Sequence, residues 1–206
     1  MTAQEKLDSK TVLDTNPATG TAVAELNETD LAKLPEIMSK AREAQAIWAA
    51  KSFKERARHI TMMRSYIVDR ADDLARTVSE SNGKTLTDAL ATEVLPCALA
   101  CKWYANNAEK TLKEKSRPGG SILFFNKKTH MLRVPLGVVG IISPWNYPLS
   151  IPFGEIVMGL MAGNAVLLKV AAATPAVGRA IEQIIAAGEL PEGLFHHIVG
   201  SGSKVA

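Results

Sequence analysis

The sequence has little cysteine: among 206 residues only Cys97 and Cys101 occur, four positions apart and not as a CxxC pair. Without a nearby histidine, this spacing supports neither a disulfide framework nor a zinc site, and we expect no bound metal. Such sparse cysteine is typical of a reducing compartment, so we expect the cytoplasm. On a helix the two thiols would share one face, as small buried hydrophobic side chains do.

Long apolar runs and a strong charge bias are lacking as well. The first residues lack the apolar core of a secretory signal. The most membrane-like stretch, 151–168, is interrupted by Pro152, Glu155 and Asn164, which favours a buried helix and strand over a membrane partner. The net charge is only +3, with both signs interspersed, so we expect no nucleic-acid partner.

The period of the apolar residues changes along the chain. Residues 1–28 are polar, with a turn signal at 16–20, and we predict an irregular surface lead-in. The region 29–116 has helical spacing. It predicts helices at 30–50, 53–79 and 87–111, the last of them kinked at Pro96.

Strand signals follow the helices. The apolar segments 121–125 and 130–134 flank a polar turn, which predicts a β-hairpin within 117–136. From 137 to 206, short apolar strands alternate with helices, and this order is typical of a parallel sheet. The predicted strands are 138–142, 165–170 and 195–199, and the predicted helices are 151–162 and 175–187. We therefore predict an α/β fold with N-terminal helices, a β-hairpin arm and a parallel Rossmann-like sheet.

Ligands of parallel sheets bind beyond the carboxyl ends of the strands, so the loops after the three strands hold the candidate residues. After the first strand, Asn146 lies in a rigid loop between two prolines. Its amide could donate to a developing negative charge, or it could cap the next helix. Lys169 ends the second strand, where it could contact a ligand or simply be solvated.

Gly200 follows the third strand and opens the segment Gly-Ser-Gly-Ser-Lys-Val, which includes Lys204. This segment is similar to the start of a dinucleotide fingerprint, although Val205 stands where the third glycine or alanine belongs. The two glycines would allow close approach of a flat ring, and a simple turn explains them equally well.

Four motifs together resemble the NAD(P)-dependent aldehyde dehydrogenase family. They are PLGVVGIISPWNYP at 135–148, MAGNAVLLK at 161–169, TP at 174–175 and LPEGLF at 190–195. Weaker agreement at 16–20, Trp48 and 82–84 extends the resemblance over nearly the whole chain. The chain covers less than half of such an enzyme, and the resemblance implies the first part of its cofactor domain without its catalytic domain.

The resemblance implies oxidation of an aldehyde to a carboxylate with NAD or NADP, through a cysteine thiohemiacetal. Asn146 would donate to the oxyanion, Lys169 would hold the adenosine ribose and Gly200 would border the adenine. The residues implied to line the cofactor cleft are Ile142, Ser143, Pro144 and Trp145. The hairpin would be an oligomerisation arm, so we expect a homo-oligomer.

Two departures from the family pattern carry expectations. Ala172 stands where the family often has a glutamate that grips the ribose hydroxyls and disfavours a 2′-phosphate. We therefore expect NADP to be slightly favoured, with Lys169 and Lys204 near the phosphate, although alanine could also leave the choice indifferent. Cys97 and Cys101 match no nucleophile motif, so the chain alone is expected to be inactive. The alternative is a non-catalytic module that binds a nucleotide or pairs with a partner chain.

Overall fold

The computed structural model describes residues 11–201, apart from the side chains of Pro118 and Phe124. It begins with two antiparallel strands, β1 (Thr11–Thr15) and β2 (Ala22–Asn27), joined by the predicted turn at 16–20. The prediction of an irregular segment is therefore wrong for 11–27. The buried residue of β1 is Asp14, so the strand lacks the apolar alternation that would have revealed it.

Helices follow, in the order α1 (Leu34–Ala49), α2 (Phe53–Asp69), α3 (Ala71–Asn82), a short α4 (Leu86–Ala89) that continues into a π-helical turn (Leu90–Val94), and α5 (Leu95–Leu112). A capping box between Ser52 and Glu55 begins α2. Gly83 ends α3 in the left-handed conformation with φ 84°.

The helix predicted at 53–79 is two helices, which meet at Arg70. Neither glycine nor proline marks this break. Ile60, Ile67 and Leu74 are seven residues apart and all buried, so the apolar period continues through it. The helix predicted at 87–111 is observed as α4, the π-helical turn and α5, and Pro96 lies in the first turn of α5, directly after the π-helical turn; the kink at Pro96 stays a prediction.

The arm also differs in detail from its prediction. Its strands are β3 (Lys115–Pro118) and β4 (Lys128–Met131), which pair antiparallel, whereas residues 122–124 form a 3₁₀ turn. The predicted strand at 121–125 is therefore wrong. The polar sequence of β3 gives no strand signal. Ile122, Leu123 and Phe125, which belong to the wrongly predicted strand, lie exposed in the connecting loop.

The parallel sheet is confirmed. Its strands are β5 (Val138–Ile142), β6 (Ala165–Lys169) and β7 (Phe195–His197), hydrogen-bonded in the order β5-β6-β7 and connected by α6 (Ser150–Met161) and α7 (Pro175–Ala187). Pro175 is at the start of α7, where its fixed φ suits the first helical turn. The fold class predicted from the sequence is therefore the one observed.

One hydrophobic core joins the helices to the sheet. Trp48 of α1 is fully buried, and its indole N–H donates to the carbonyl of Leu160 in α6 at 2.8 Å. Both helices pack on β5 and β6, and α2 and α5 pack on α6. No helix within residues 11–201 is long and apolar enough to cross a membrane.

Candidate functional site

The three strands end at a common edge of the sheet. Ile142 is the register partner of Lys169, and the amide of Ser143 donates to the Lys169 carbonyl at 3.0 Å. On the other side of β6, the Ile198 amide donates to the carbonyl of Leu168 at 2.7 Å. The loops that carry the candidate residues therefore begin side by side, at the edge where parallel sheets bind ligands.

Lys169 is only 6% exposed. Within residues 11–201 its ammonium group has neither a hydrogen-bond partner nor a carboxylate in ion-pair contact. Lys169 Nζ is not among the fully buried polar atoms that lack a partner in the described residues, so a solvated ammonium on a buried aliphatic stem also fits this position. The ammonium thus has donor capacity that no described residue uses.

The loop after β5 presents apolar surface beside this ammonium. Ile142 and Trp145 are 63% and 61% exposed, which is unusual for large apolar side chains. Pro144 is exposed too, whereas Ser143 is buried and its hydroxyl donates to the neighbouring Pro144 carbonyl at 3.4 Å. Exposed apolar side chains and an unpartnered ammonium at the same edge of the sheet suit a ligand with both apolar and polar parts.

Asn146 has an exposed side chain, whose amide makes no hydrogen bond to any described residue. The residue at the N-cap position of α6 is Leu149, which makes no side-chain cap. Helix capping, the second reading of Asn146, is therefore not its role here. Its amide is free to donate elsewhere.

Three side chains from distant parts of the sequence hold the backbone of this loop. Asn82 donates through Nδ2 to the Trp145 carbonyl at 2.7 Å, and Lys84 donates through Nζ to the Asn146 carbonyl at 2.6 Å. Lys84 is also paired with the fully buried Glu93.

The second carboxylate oxygen of Glu93 reaches the start of α6. It accepts the amide of Leu149 at 3.2 Å and the amide of Ser150 at 2.8 Å. Sequence reasoning missed Glu93. A signal was present, because a carboxylate lies four residues after Ala89 and four before Cys97, on a face that is otherwise apolar.

The remaining candidates lie on the β6 and β7 sides of this edge. Ala172 is exposed in the turn after β6, Gly200 is buried after β7, and Lys204 lies outside the described residues. The N-terminus of α7 is occupied by the protein itself, because the Asp14 carboxylate accepts the Ala176 amide at 2.9 Å. A ligand phosphate therefore has no free helix start at α7.

Neither cysteine is suited to nucleophilic chemistry. Both are free thiols buried in α5, as predicted for small core side chains. Burial raises the pKa of Cys97 well above its usual range, and burial raises the pKa of Cys101 to about 12. Because the thiolate is the reactive form, both remain unreactive at neutral pH.

A parallel sheet with these loops at its carboxyl edge is typical of nucleotide-cofactor domains. The chain belongs to the aldehyde dehydrogenase family, whose model matches residues 4–206.

Individual relatives agree with the family. The 4,4'-diapolycopene aldehyde oxidase of Methylomonas sp is 29% identical over 196 residues, which are 95% of this chain and 37% of that protein. An aldehyde dehydrogenase from Brucella melitensis biovar abortus 2308 superposes with a TM-score of 0.87 at 28% identity. An E. coli NADP dependent enzyme superposes with a TM-score of 0.86 at 27% identity. Each superposition covers 94% of this chain and 39% of the other, so the chain spans less than half of these relatives.

Proposed function

We propose that this chain supplies the cofactor-binding part of an enzyme that oxidises an aldehyde to a carboxylate with NAD(P)⁺, through a cysteine thiohemiacetal. The observation that carries the proposal is Lys169, a residue only 6% exposed at the carboxyl edge of the sheet, whose ammonium is unpartnered among the described residues. When bound, NAD(P)⁺ provides the acceptor for the hydride that leaves the substrate.

The residues at this edge fit the parts of a dinucleotide. Lys169 donates to the hydroxyls of the adenosine ribose, and the buried Gly200 borders the adenine, since it has no side chain to obstruct a flat ring. The exposed apolar side chains of the first loop cover the cleft wall. The wall consists of Ile142, Ser143, Pro144 and Trp145. Lys204, four residues after Gly200 in the sequence, is proposed as a further positive charge for the cofactor.

Asn146 donates from its free amide to the oxyanion that forms when a thiolate attacks the aldehyde carbonyl. That thiolate does not come from Cys97 or Cys101, because both are buried with raised pKa values. The chain therefore holds the oxyanion donor without a nucleophile. On its own it binds cofactor and does not oxidise aldehydes.

Cofactor affinity tests the proposal. The complete protein that contains this chain should oxidise aldehydes with NAD⁺ or NADP⁺. In that protein, Lys169→Met should weaken cofactor binding by about 10- to 100-fold, because hydrogen bonds from a charged donor contribute about 1.5–3 kcal/mol. Titration calorimetry measures both dissociation constants. The exposed Lys110 supplies the control variant Lys110→Met, and equal affinities in the two variants would contradict the proposal.

Cofactor choice should depend on Ala172. We propose that NADP⁺ binds at least as tightly as NAD⁺, because no carboxylate at this position accepts the ribose hydroxyls or repels a 2′-phosphate. Ala172→Glu should then shift the ratio of the two dissociation constants toward NAD⁺ by about tenfold, a usual coupling for a close charge contact. The adjacent, equally exposed Ala173 gives the matched control Ala173→Glu. A tenfold preference for NAD⁺ in the unaltered protein rules the idea out.

The arm supports a homo-oligomer. Its loop and the irregular segment after β4 leave large apolar side chains almost fully exposed, among them Ile122, Phe125 and Leu136. Such surface is stabilised when a second copy covers it. We expect the chain at about 100 μM to be dimeric or larger by light scattering, and the double variant Ile122→Ser/Phe125→Ser to be smaller. Leu99→Ser/Trp103→Ser, at exposed positions of α5, controls for a general loss of apolar surface.

A further inference from the structure

An ion pair between Lys84 and the buried Glu93 contacts both the loop that carries Asn146 and the helix that follows it. One oxygen of Glu93 is paired with Lys84, which in turn donates to the carbonyl of Asn146. The other oxygen of Glu93 accepts two amides at the start of α6. The Glu93 carboxylate thus holds Asn146 through Lys84 and holds the start of α6 directly.

The pair leaves its two members little freedom. Glu93 is fully buried, and Lys84 is 18% exposed in its side chain. Beyond its bonds to Glu93 and Asn146, the Lys84 ammonium lies 4.0 Å from the centre of the Tyr147 ring, which favours a cation. Buried charges that satisfy one another and their backbone neighbours are costly to rearrange. The Lys84–Glu93 pair, which we call the anchor of the loop, is therefore rigid.

The anchor acts on the two peptide groups that flank Asn146. Because peptide groups are planar, the direction of the Asn146 side chain is set by the planes before and after its Cα. The carbonyl of the first plane, from Trp145, accepts a hydrogen bond from Asn82, and the carbonyl of the second, from Asn146 itself, accepts one from Lys84. Both planes are held, so the Cα–Cβ bond of Asn146 leaves the backbone in a fixed direction, from which the side-chain rotamers place the amide.

We propose that Lys84 and Asn82, with Glu93 behind Lys84, are positioning residues that aim the Asn146 amide at the oxyanion without touching the substrate. This inference rests on the proposed function. An oxyanion donor is effective only within about 2.7–3.1 Å of the developing charge, and a shift of about 1 Å can lower the rate about 100-fold.

A double-mutant cycle in the complete protein tests the inference. Lys84→Met should lower kcat about 10- to 100-fold and leave the dissociation constant of the cofactor unchanged. Lys84→Arg, which keeps a donor and a charge, should recover part of the rate. In the Asn146→Ala background, Lys84→Met should add little further loss, because the group that it positions is already absent. Losses that multiply in the double variant would overturn the inference.

The proposed function is judged separately from this cycle. If Asn146→Ala does not slow aldehyde oxidation, the oxyanion role fails; if Asn146→Ala slows it but the Lys84 and Asn146 losses multiply, only the positioning role fails. Should Lys84→Met not fold, Asn82→Ala enters the same cycle, since its bond to the Trp145 carbonyl lies at the protein surface.

Hydrogen exchange on this 206-residue chain gives a readout that needs no activity. Lys84→Met should speed exchange at the amides of Leu149 and Ser150 at least tenfold, because Glu93 loses the partner that fixes it, while the amides of β6 keep their protection. The control variant Lys110→Met should change neither. Unaltered exchange at Leu149 and Ser150 would show that the ion pair does not hold the loop, and would overturn the inference.

Discussion

Replacing Asn146 by alanine in the complete protein should lower kcat for aldehyde oxidation by about 10²–10³-fold, the usual effect of removing one oxyanion donor. The Asn146 amide is exposed and unbonded among the described residues, so its removal leaves no buried group unsatisfied. Stability and cofactor affinity should therefore be unchanged. Steady-state kinetics, with the dissociation constant of NADP⁺ measured in parallel, checks both parts.

Asn146→Asp gives a second test of Asn146 as the oxyanion donor. The carboxylate has the same shape as the amide but replaces its donor group with a negative charge, so it should repel the oxyanion and reduce kcat at least as much as alanine does. The exposed Asn106 on α5 provides the control variant Asn106→Ala. If Asn146→Ala and Asn106→Ala have equal rates, Asn146 takes no part in the reaction.

The parallel sheet could be predicted from the sequence almost to the residue. β5 and most of β6 are short apolar runs, and Pro175 marks the start of α7, whereas β7 contains two histidines. The two hairpins could not be predicted as well. β1 turns the carboxylate of Asp14 inward, where it accepts the hydroxyl of Ser81 and the Ala176 amide of α7, two partners that are distant in sequence. β3 likewise pairs with β4 through backbone hydrogen bonds, which cannot be predicted from the polar sequence of β3.

The positions of the candidate residues could be predicted from the sequence, whereas the side chains that hold the loop could not. The rule for parallel sheets points to the strand end at Lys169 and to the loop after β5, where Asn146 lies. Lys84 and Glu93 join the site only because α5 packs on α6 and brings the π-helical turn beneath the loop. Glu93 is buried by tertiary packing. The local sequence therefore shows that its helix face is apolar, but it does not show that Lys84 and the amides of α6 are its partners.

Trp48 holds α1 against α6 and the sheet. Its side chain is fully buried between α1, the sheet and α6, and it also contacts the edge of the His59 ring, with the ring centres 5.2 Å apart. We expect Trp48→Ala to lower the free energy of unfolding of the chain by about 3–5 kcal/mol, since deletion of a buried indole loses its contacts and leaves a cavity. Urea denaturation followed by circular dichroism measures this difference.

Most of this loss should come from packing and little from the indole hydrogen bond. The Leu160 carbonyl that accepts the Trp48 N–H also accepts the amide of Gly163 at 2.9 Å, so it keeps a partner when the indole is removed. Trp48→Phe should therefore cost only about 1–2 kcal/mol, for one hydrogen bond and part of the ring. Trp103→Ala, at a position 55% exposed on α5, should change stability by less than about 1 kcal/mol. Equal losses in Trp48→Ala and Trp103→Ala would mean that the buried indole does not hold α1 on the sheet.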